Sequence, residues 1–202
     1  MDYIEKKKEV ETKLKDILSE RRYMHTVGVV DTASEMAEIY GYDADKAKLA
    51  AVLHDLAKDY SSVAQLRKCK EAGIELSAVE EANTELIHAK LGAVLAKTEY
   101  GIDDDEICEA IKWHTTGKPD MKLLEKIIFV ADYIEPGRDK APNLDAIRKI
   151  ARKDIDDAVY YIMRDTLYYL YMTQPYAVDE MTKKAFEYYK AIFKTKHDKE
   201  EI

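Results

Sequence analysis

The sequence contains little cysteine, no long apolar run and no excess of positive charge. Its two cysteines, Cys69 and Cys108, are isolated and form no CxxC pair. We therefore expect free thiols in a reducing cytoplasm. No apolar run approaches the length of a membrane span, and the first residues lack the apolar core of a signal peptide. We expect neither a membrane anchor nor secretion.

The charge balance excludes a broad nucleic-acid surface. Lys and Arg number 32 against 40 Asp and Glu, which gives a formal net charge of −8. An extended phosphate-binding surface needs clustered cations, so we expect no nucleic-acid partner. A small phosphorylated ligand, held by a metal ion and a few cations, remains compatible with this charge. At 202 residues with 47% apolar content, the chain is long enough for one well-packed domain.

Helical periodicity runs along almost the whole chain. Leu14, Ile17 and Leu18 predict an amphipathic first helix, and glycine or proline interrupts the later apolar stripes. Ser77 with Glu80 and Asp103 with Glu106 have the spacing of capping boxes. No alternating strand pattern, repeat or linker is visible, so we predict an all-α bundle. Further helices are predicted at residues 24–40, 45–57, 61–72, 154–172 and 179–196, with others carrying His88, His114 and Asp132.

Six polar residues continue apolar faces of these helices. His54, for example, follows Ala50 and Ala51 at offsets that share one helical face, and His114 follows Ile111 in the same way. A single such histidine is most often a satisfied core residue. A buried carboxylate costs several kcal/mol unless it is compensated, and a cation compensates several such groups together. The whole set predicts a metal site: His25, His54, Asp55, His88, His114 and Asp132.

Five segments of the sequence together resemble the HD-domain metal-dependent phosphohydrolases. They are RRYMHTVGVV, LAAVLHDLAKDY, IHAKLGA, IKWHTTGKP and KIIFVADYIEPGR. In detail the chain resembles the YqeK-type symmetrical bis(5′-nucleosyl)-tetraphosphatases from about Arg21 to Tyr189. A bare His-Asp pair is a weak signal, whereas HDLAKDY, HTTG and ADYIEPGR at these positions form a specific one. The resemblance implies an HD-domain helical bundle over residues 21–193. Outside the resemblance, we expect residues 1–20 to pack on the bundle as a helix and residues 194–202 to form a frayed tail.

The same resemblance implies a reaction and its residues. The reaction is hydrolysis of diadenosine tetraphosphate, a dinucleoside polyphosphate, into two ADP. The cofactor is iron, with one ion expected, held by His25, His54, Asp55 and Asp132. The nucleotide would be lined by a larger set: Arg22, Lys58, Asp59, Tyr60, His88, His114, Arg138, Thr173, Pro175 and Tyr176.

The catalytic hypothesis is attack by a metal-activated hydroxide on an inner phosphorus, with ADP leaving. Asp55 is expected to bind the metal and accept the proton of the attacking water. Lys58 lies one helical turn beyond His54 and is expected to reach the phosphates, although either Lys58 or Arg138 taken alone suits a solvated cation. His88 and His114 are expected to contact the phosphates, one as general acid. The alternative for this histidine pair is a second metal ion.

Other functions fit the same residues. One is a different HD-type nucleotide phosphohydrolase, such as a nucleotidase or a cyclic-dinucleotide phosphodiesterase. Another is a non-catalytic nucleotide-binding or metal-sensing module, and a third is a di-iron oxygen-activating protein, which Lys58 and Arg138 disfavour. The tyrosines of the C-terminal third suit packing better than base stacking. From these tyrosine-rich helices we expect a homodimer.

Overall fold

A computed structural model describes residues 1–174 and 178–198. Over these residues the chain forms eleven helices and no strand, which confirms the all-α prediction. No helix in these ranges is long and apolar enough to cross a membrane. The helices are α1 (Tyr3–Ile17), α2 (Glu20–Ile39), α3 (Ala44–Leu53), α4 (Ser62–Glu71), α5 (Ala78–Ala82), α6 (Ile87–Thr98), α7 (Asp105–Trp113), α8 (Leu123–Ile134), α9 (Leu144–Ala151), α10 (Ile155–Thr173) and α11 (Glu180–His197).

Two predicted capping boxes have different outcomes. Ser77 and Glu80 form theirs as expected, with each side chain accepting from the other residue's backbone N–H. At α7 the cap is Asp104 rather than Asp103, because the Asp104 carboxylate accepts from the backbone N–H groups of Glu106 and Ile107. The predicted box at Asp103 is therefore wrong by one residue. The Asp103 side chain remains exposed.

The helix α3 ends at Leu53, four residues earlier than predicted. Residues 54–59 continue as tight turns, in which His54 and Leu56 donate backbone hydrogen bonds three residues back rather than four. Successive side chains of a regular helix diverge by about 100°. The side chains of His54 and Asp55 are nevertheless both buried, and His54 Nε2 lies 3.5 Å from Asp55 Oδ2.

The core forms where α2 packs between α3 and α8, and α7 packs against α6 and α8. Val29, Ala33 and Met36 of α2 are fully buried there, as are Leu53 and Ile128 from the helices on either side. The first helix α1 packs on α3 through its own buried face. The central helices are thus packed closely against one another.

The chain after α8 differs from the sequence prediction in two places. A short helix, α9, was not predicted; it buries Leu144, Ile147 and Ala151. The helix α11 continues through His197, beyond residue 193 where a frayed tail was expected to begin. Pairing of Lys196 with Asp154 at 2.7 Å stabilises this extension. Residues 199–202 lie outside the described part.

Candidate metal centre

Five elements bring the six predicted metal-site residues together. His25 lies on α2, His54 and Asp55 in the turn after α3, His88 in the first turn of α6, His114 at the end of α7 and Asp132 on α8. Asp55 is at the centre of the cluster. The four imidazoles direct their Nε2 atoms at Asp55 from distances between 3.1 and 3.7 Å. Residues dispersed along the sequence therefore meet at one point.

The ring orientation of three histidines follows from the backbone. The Nδ1 atoms of His54, His88 and His114 each donate to the carbonyl oxygen three residues earlier, at 2.7 Å. A carbonyl oxygen can only accept, so the ring proton of the neutral imidazole lies on Nδ1. The Nε2 atom then carries a lone pair directed into the cluster. This is the tautomer that a metal ion requires.

The six residues divide into two donor sets that share Asp55. The first donor set is His25, His54, Asp55 and Asp132, in which His25 Nε2 lies 3.0 Å from Asp132 Oδ1 and 3.7 Å from Asp55 Oδ2. The second donor set is Asp55, His88 and His114, in which His88 Nε2 lies 3.1 Å from both Asp55 Oδ1 and His114 Nε2. Each set contains three groups whose donor atoms are close enough to hold one cation.

Both carboxylates of the cluster are held in the charged form. Burial would raise the pKa of Asp55, but the surrounding imidazoles, His54 foremost, hold that pKa well below its usual value. Burial likewise opposes ionisation of Asp132, while the hydrogen bond from His25 and the charge of Arg138 lower its pKa. Burial lowers the pKa of His88 to about 4, so this imidazole is neutral at pH 7. A buried and a partly buried carboxylate beside imidazole nitrogens form a site that a divalent cation fits.

His25 behaves differently from His88. Burial lowers the pKa of His25, but hydrogen bonds to Asp132 and Glu135 outweigh burial and raise it overall. The ring Nδ1 of His25 lies 3.1 Å from Glu135 Oε1. Glu135 is itself buried, so the first donor set has a third carboxylate behind it.

A cavity of about 910 Å3 opens from the cluster. Arg22, Lys58 and Arg138 line it, together with His88 and His114, so these five predicted nucleotide contacts share one space. The ammonium of Lys58 lies 3.4 Å from His88 Nδ1, and Arg138 donates to Asp132 Oδ1 at 3.1 Å. Although the chain is acidic overall, its cluster is flanked by cations. A polyanion suits such a cavity.

Three other predicted nucleotide contacts lie away from the lining of this cavity. Asp59 accepts a hydrogen bond from the backbone N–H of Ser19 at 2.8 Å, and Lys68 lies over the ring of Tyr60. Thr173 donates to a carbonyl of its own helix at the exposed end of α10. Pro175 and Tyr176 lie outside the described residues. The assignments of these five residues stay predictions.

Several residues at the site were not predicted from the sequence. Thr115 Oγ1 lies 3.3 Å from His88 Nε2 and 3.2 Å from His114 Nε2. Glu135 contacts His25, and Tyr169 contributes an exposed ring to the cavity lining. Thr115 and Glu135 belong to the HTTG and ADYIEPGR segments, which were the available signal for them.

The helical bundle and its histidine–aspartate centre define a metal-dependent HD-domain protein. The family model described as "HD domain" matches residues 22–137, which include all six residues of the cluster. This match covers more than half of the chain, so the chain belongs to the HD-domain family.

Within that family, the chain falls in the branch of the symmetrical bis(5′-nucleosyl)-tetraphosphatases. It is 42% identical to the Bacillus subtilis protein of that name over 157 residues, which cover 78% of this chain and 83% of the relative. The Staphylococcus aureus protein of the same name is 41% identical over 77% of this chain and 80% of its own length.

A crystal structure shares both fold and sequence with the chain. It is described as a "predicted HD superfamily hydrolase involved in NAD metabolism" from Clostridium acetobutylicum. The two chains are 38% identical with a TM-score of 0.86, and the match covers 91% of this chain and 96% of the other. The fold and the relatives therefore agree on the family.

Proposed function

We propose that the protein is a metal-dependent hydrolase that cleaves diadenosine tetraphosphate symmetrically into two ADP. The observation that carries the proposal is the shared Asp55 cluster at the base of a cavity to whose lining Arg22, Lys58 and Arg138 contribute. The names of relatives more than 40% identical over most of their length support the substrate class.

The first donor set is the proposed binding site of the catalytic ion. Two imidazoles and two carboxylates leave coordination positions open on an octahedral ion. A bound divalent ion supplies charge that polarises a phosphoryl group and makes a water molecule more acidic. In this proposal Asp55 accepts the proton of the attacking water, and Arg22, Lys58 and Arg138 neutralise the phosphates during phosphoryl transfer.

Iron is the ion that we propose for this site. Imidazole nitrogen and carboxylate oxygen are suitable ligands for Fe²⁺, and they also suit Zn²⁺ and Mn²⁺. Cys69 and Cys108 are free thiols, which supports a cytoplasmic location, where ferrous iron is available. The exposed Tyr168, Tyr171 and Met172 at the end of α10 support a homodimer contact.

The roles of His88 and His114 are open to two proposals. The prediction from the sequence is phosphate contact, with one histidine as general acid. The ring tautomer supports the alternative, a second ion, because both Nδ1 protons are donated to backbone carbonyls and each Nε2 can then only accept. A neutral His88 has no second proton to donate. Elemental analysis of fully loaded protein separates the two, since two ions per chain requires the second donor set.

A product assay tests the function itself. Apoprotein is loaded with Fe²⁺, Mn²⁺ or Co²⁺ and given dinucleoside polyphosphates with three, four or five phosphates. We expect ADP as the only nucleotide released from diadenosine tetraphosphate. Formation of ATP with AMP would contradict symmetrical cleavage. Tight binding of ADP without turnover would instead support the nucleotide-binding module.

A further inference from the structure

Glu135 has no role in the reaction assigned above, yet its carboxylate is buried against the first donor set. It is 4% exposed, and Oε1 lies 3.1 Å from His25 Nδ1. We infer that Glu135 is a positioning residue, which fixes the ring direction and tautomer of His25 for metal binding. We also infer that Gly28 provides the space that this carboxylate occupies. The inference rests on the proposed metal site.

The backbone around Glu135 is held from a neighbouring helix. Glu135 directly follows α8, and the guanidinium of Arg148 on α9 donates to its carbonyl oxygen at 2.9 Å and to that of Ile134 at 3.0 Å. The backbone N–H of Arg138 also donates to the Glu135 carbonyl, at 3.1 Å. These hydrogen bonds hold the backbone of the turn. The position of the Glu135 carboxylate beside His25 depends on a further residue.

Gly28 makes that placement possible. It lies on α2, three residues beyond His25, and a Cβ atom at this position would lie 2.6 Å from Glu135 Oε2. A glycine inside a helix destabilises it relative to alanine. The close approach of the carboxylate gives a physical reason for this glycine. Any larger residue would push the carboxylate away from His25.

The two oxygens of Glu135 have separate partners. Oε2 accepts from the backbone N–H of Gly137 at 2.5 Å, while Oε1 faces His25. Because a carboxylate can only accept, Glu135 holds a proton on His25 Nδ1. The Nε2 atom faces Asp132 Oδ1 at 3.0 Å, and a cation bound at the first donor set would take the place of any proton on this nitrogen.

A glutamine at this position would reverse the arrangement. The Gly137 N–H needs an oxygen acceptor, so the Gln amide oxygen would serve Gly137 and its NH2 would face His25 Nδ1. Nδ1 would then have to accept, which moves the ring proton to Nε2 and blocks metal binding. Glu135→Gln keeps the volume and the turn hydrogen bond, so it separates the tautomer effect from a structural one.

Two measurements on the full chain test the inference. The first is the 15N-resolved ring N–H spectrum of apoprotein, and the second is calorimetric titration with Co²⁺. We expect Glu135→Gln and Glu135→Ala to lose the Nδ1–H signal of His25 and to weaken Co²⁺ binding at the first donor set by about 10- to 100-fold. The ring signals of His54, His88 and His114 should stay, because backbone carbonyls hold them.

Gly28→Ala provides an independent test that leaves Glu135 in place. It should lose the same His25 signal and a similar share of Co²⁺ affinity. Poorer helix formation cannot cause this loss, because alanine favours a helix more than glycine does. In a Glu135→Ala background it should cause no further loss, since no carboxylate remains to be displaced. Gly92→Ala is the matched control, because its Cβ would make an ordinary 3.4 Å contact with Ile111. It should leave both measurements unchanged.

The outcomes are separable. Wild-type affinity and an intact His25 signal in Glu135→Gln would overturn the positioning role. An unaffected Gly28→Ala would overturn the role of the glycine. Failure of the wild-type apoprotein to bind Co²⁺ at all would instead overturn the proposed metal site, on which the inference depends.

Discussion

The two donor sets share Asp55, but different contacts hold them in place. In the second donor set, His88 and His114 are oriented by backbone carbonyls of their own helical turns. In the first donor set, His25 is oriented by a charged side chain, Glu135, which comes from another helix. A carbonyl within the same turn is present whenever the helix forms, whereas a distant carboxylate depends on tertiary packing. The first donor set is thus more vulnerable to single substitutions.

Asp55 is the one ligand common to both donor sets, so removing it has the largest expected effect. We expect Asp55→Ala to bind no metal in either donor set and to lower kcat by about 10³-fold or more. Helical circular dichroism should remain, because the core surrounding α2 and α8 does not depend on this carboxylate. Hydrolysis of diadenosine tetraphosphate and metal content are measured together. Asp103→Ala is the control, since it removes an exposed carboxylate elsewhere.

Retained metal at one donor set in Asp55→Ala would show that the two sets are more independent than their shared ligand suggests. Retained turnover would remove the proposed mechanism altogether. Asp103→Ala should match wild type in both measurements.

His88 of the second donor set and His25 of the first make the folding stability depend on pH in opposite directions. Burial lowers the pKa of His88 from 6.5 to about 4. Between these two pH values the unfolded chain binds a proton at His88 that the folded chain does not bind. This contribution makes the apoprotein lose about 2 kcal/mol of stability between pH 7 and pH 5. The pKa of His25 is raised, so its contribution is fully present below pH 6.5 and is lost as pH rises through the folded pKa.

Urea unfolding of metal-free protein between pH 7 and 5 measures this difference. His88→Asn should flatten the loss of stability on acidification, because it removes the group that must stay neutral. His25→Asn should make that loss steeper, because it removes the opposing contribution. If the free energy of unfolding depended on pH in the same way for wild type and both variants, the opposite pKa shifts assigned to His88 and His25 would be contradicted.

The sequence predicted His88 and His114, but it predicted neither Thr115 beside them nor Glu135 behind His25. His88 and His114 continue apolar stripes, and their carbonyl partners come with the helices, so pattern and local geometry suffice. Periodicity also predicted that His25, Asp55 and Asp132 face the interior. The role of Glu135 depends on the space at Gly28, which belongs to a helix far away in the sequence. Such a contact exists only once the helices pack.

The wrong prediction for the end of α3 and the missing prediction of α9 have a related cause. Periodicity continued α3 through residue 57, because apolar residues follow the His-Asp pair at helical offsets. The tight turn at His54 and Asp55 makes hydrogen bonds three residues back, and the pattern of apolar residues is the same for both conformations. Helix α9 was missed because its eight residues carry only a short stripe.

The smallest expected effect is at Lys58, which lies beside the second donor set alone. Its ammonium pairs with Glu85 at 2.8 Å and lies 3.4 Å from His88 Nδ1, at the edge of the cavity. We expect Lys58→Gln to keep the metal and raise KM for diadenosine tetraphosphate about tenfold, the effect of losing one charge-assisted contact to phosphate.

Lys112→Gln is the matched control for this prediction, because Lys112 lies outside the cavity lining and pairs with Glu109 at 3.5 Å. It should leave KM and metal content at wild-type values. If Lys58→Gln instead lowered metal content, the lysine would support the second donor set rather than the substrate. Unchanged kinetics in Lys58→Gln would make it an ordinary solvated cation, and phosphate neutralisation would then depend on Arg22 and Arg138, on the side of the first donor set.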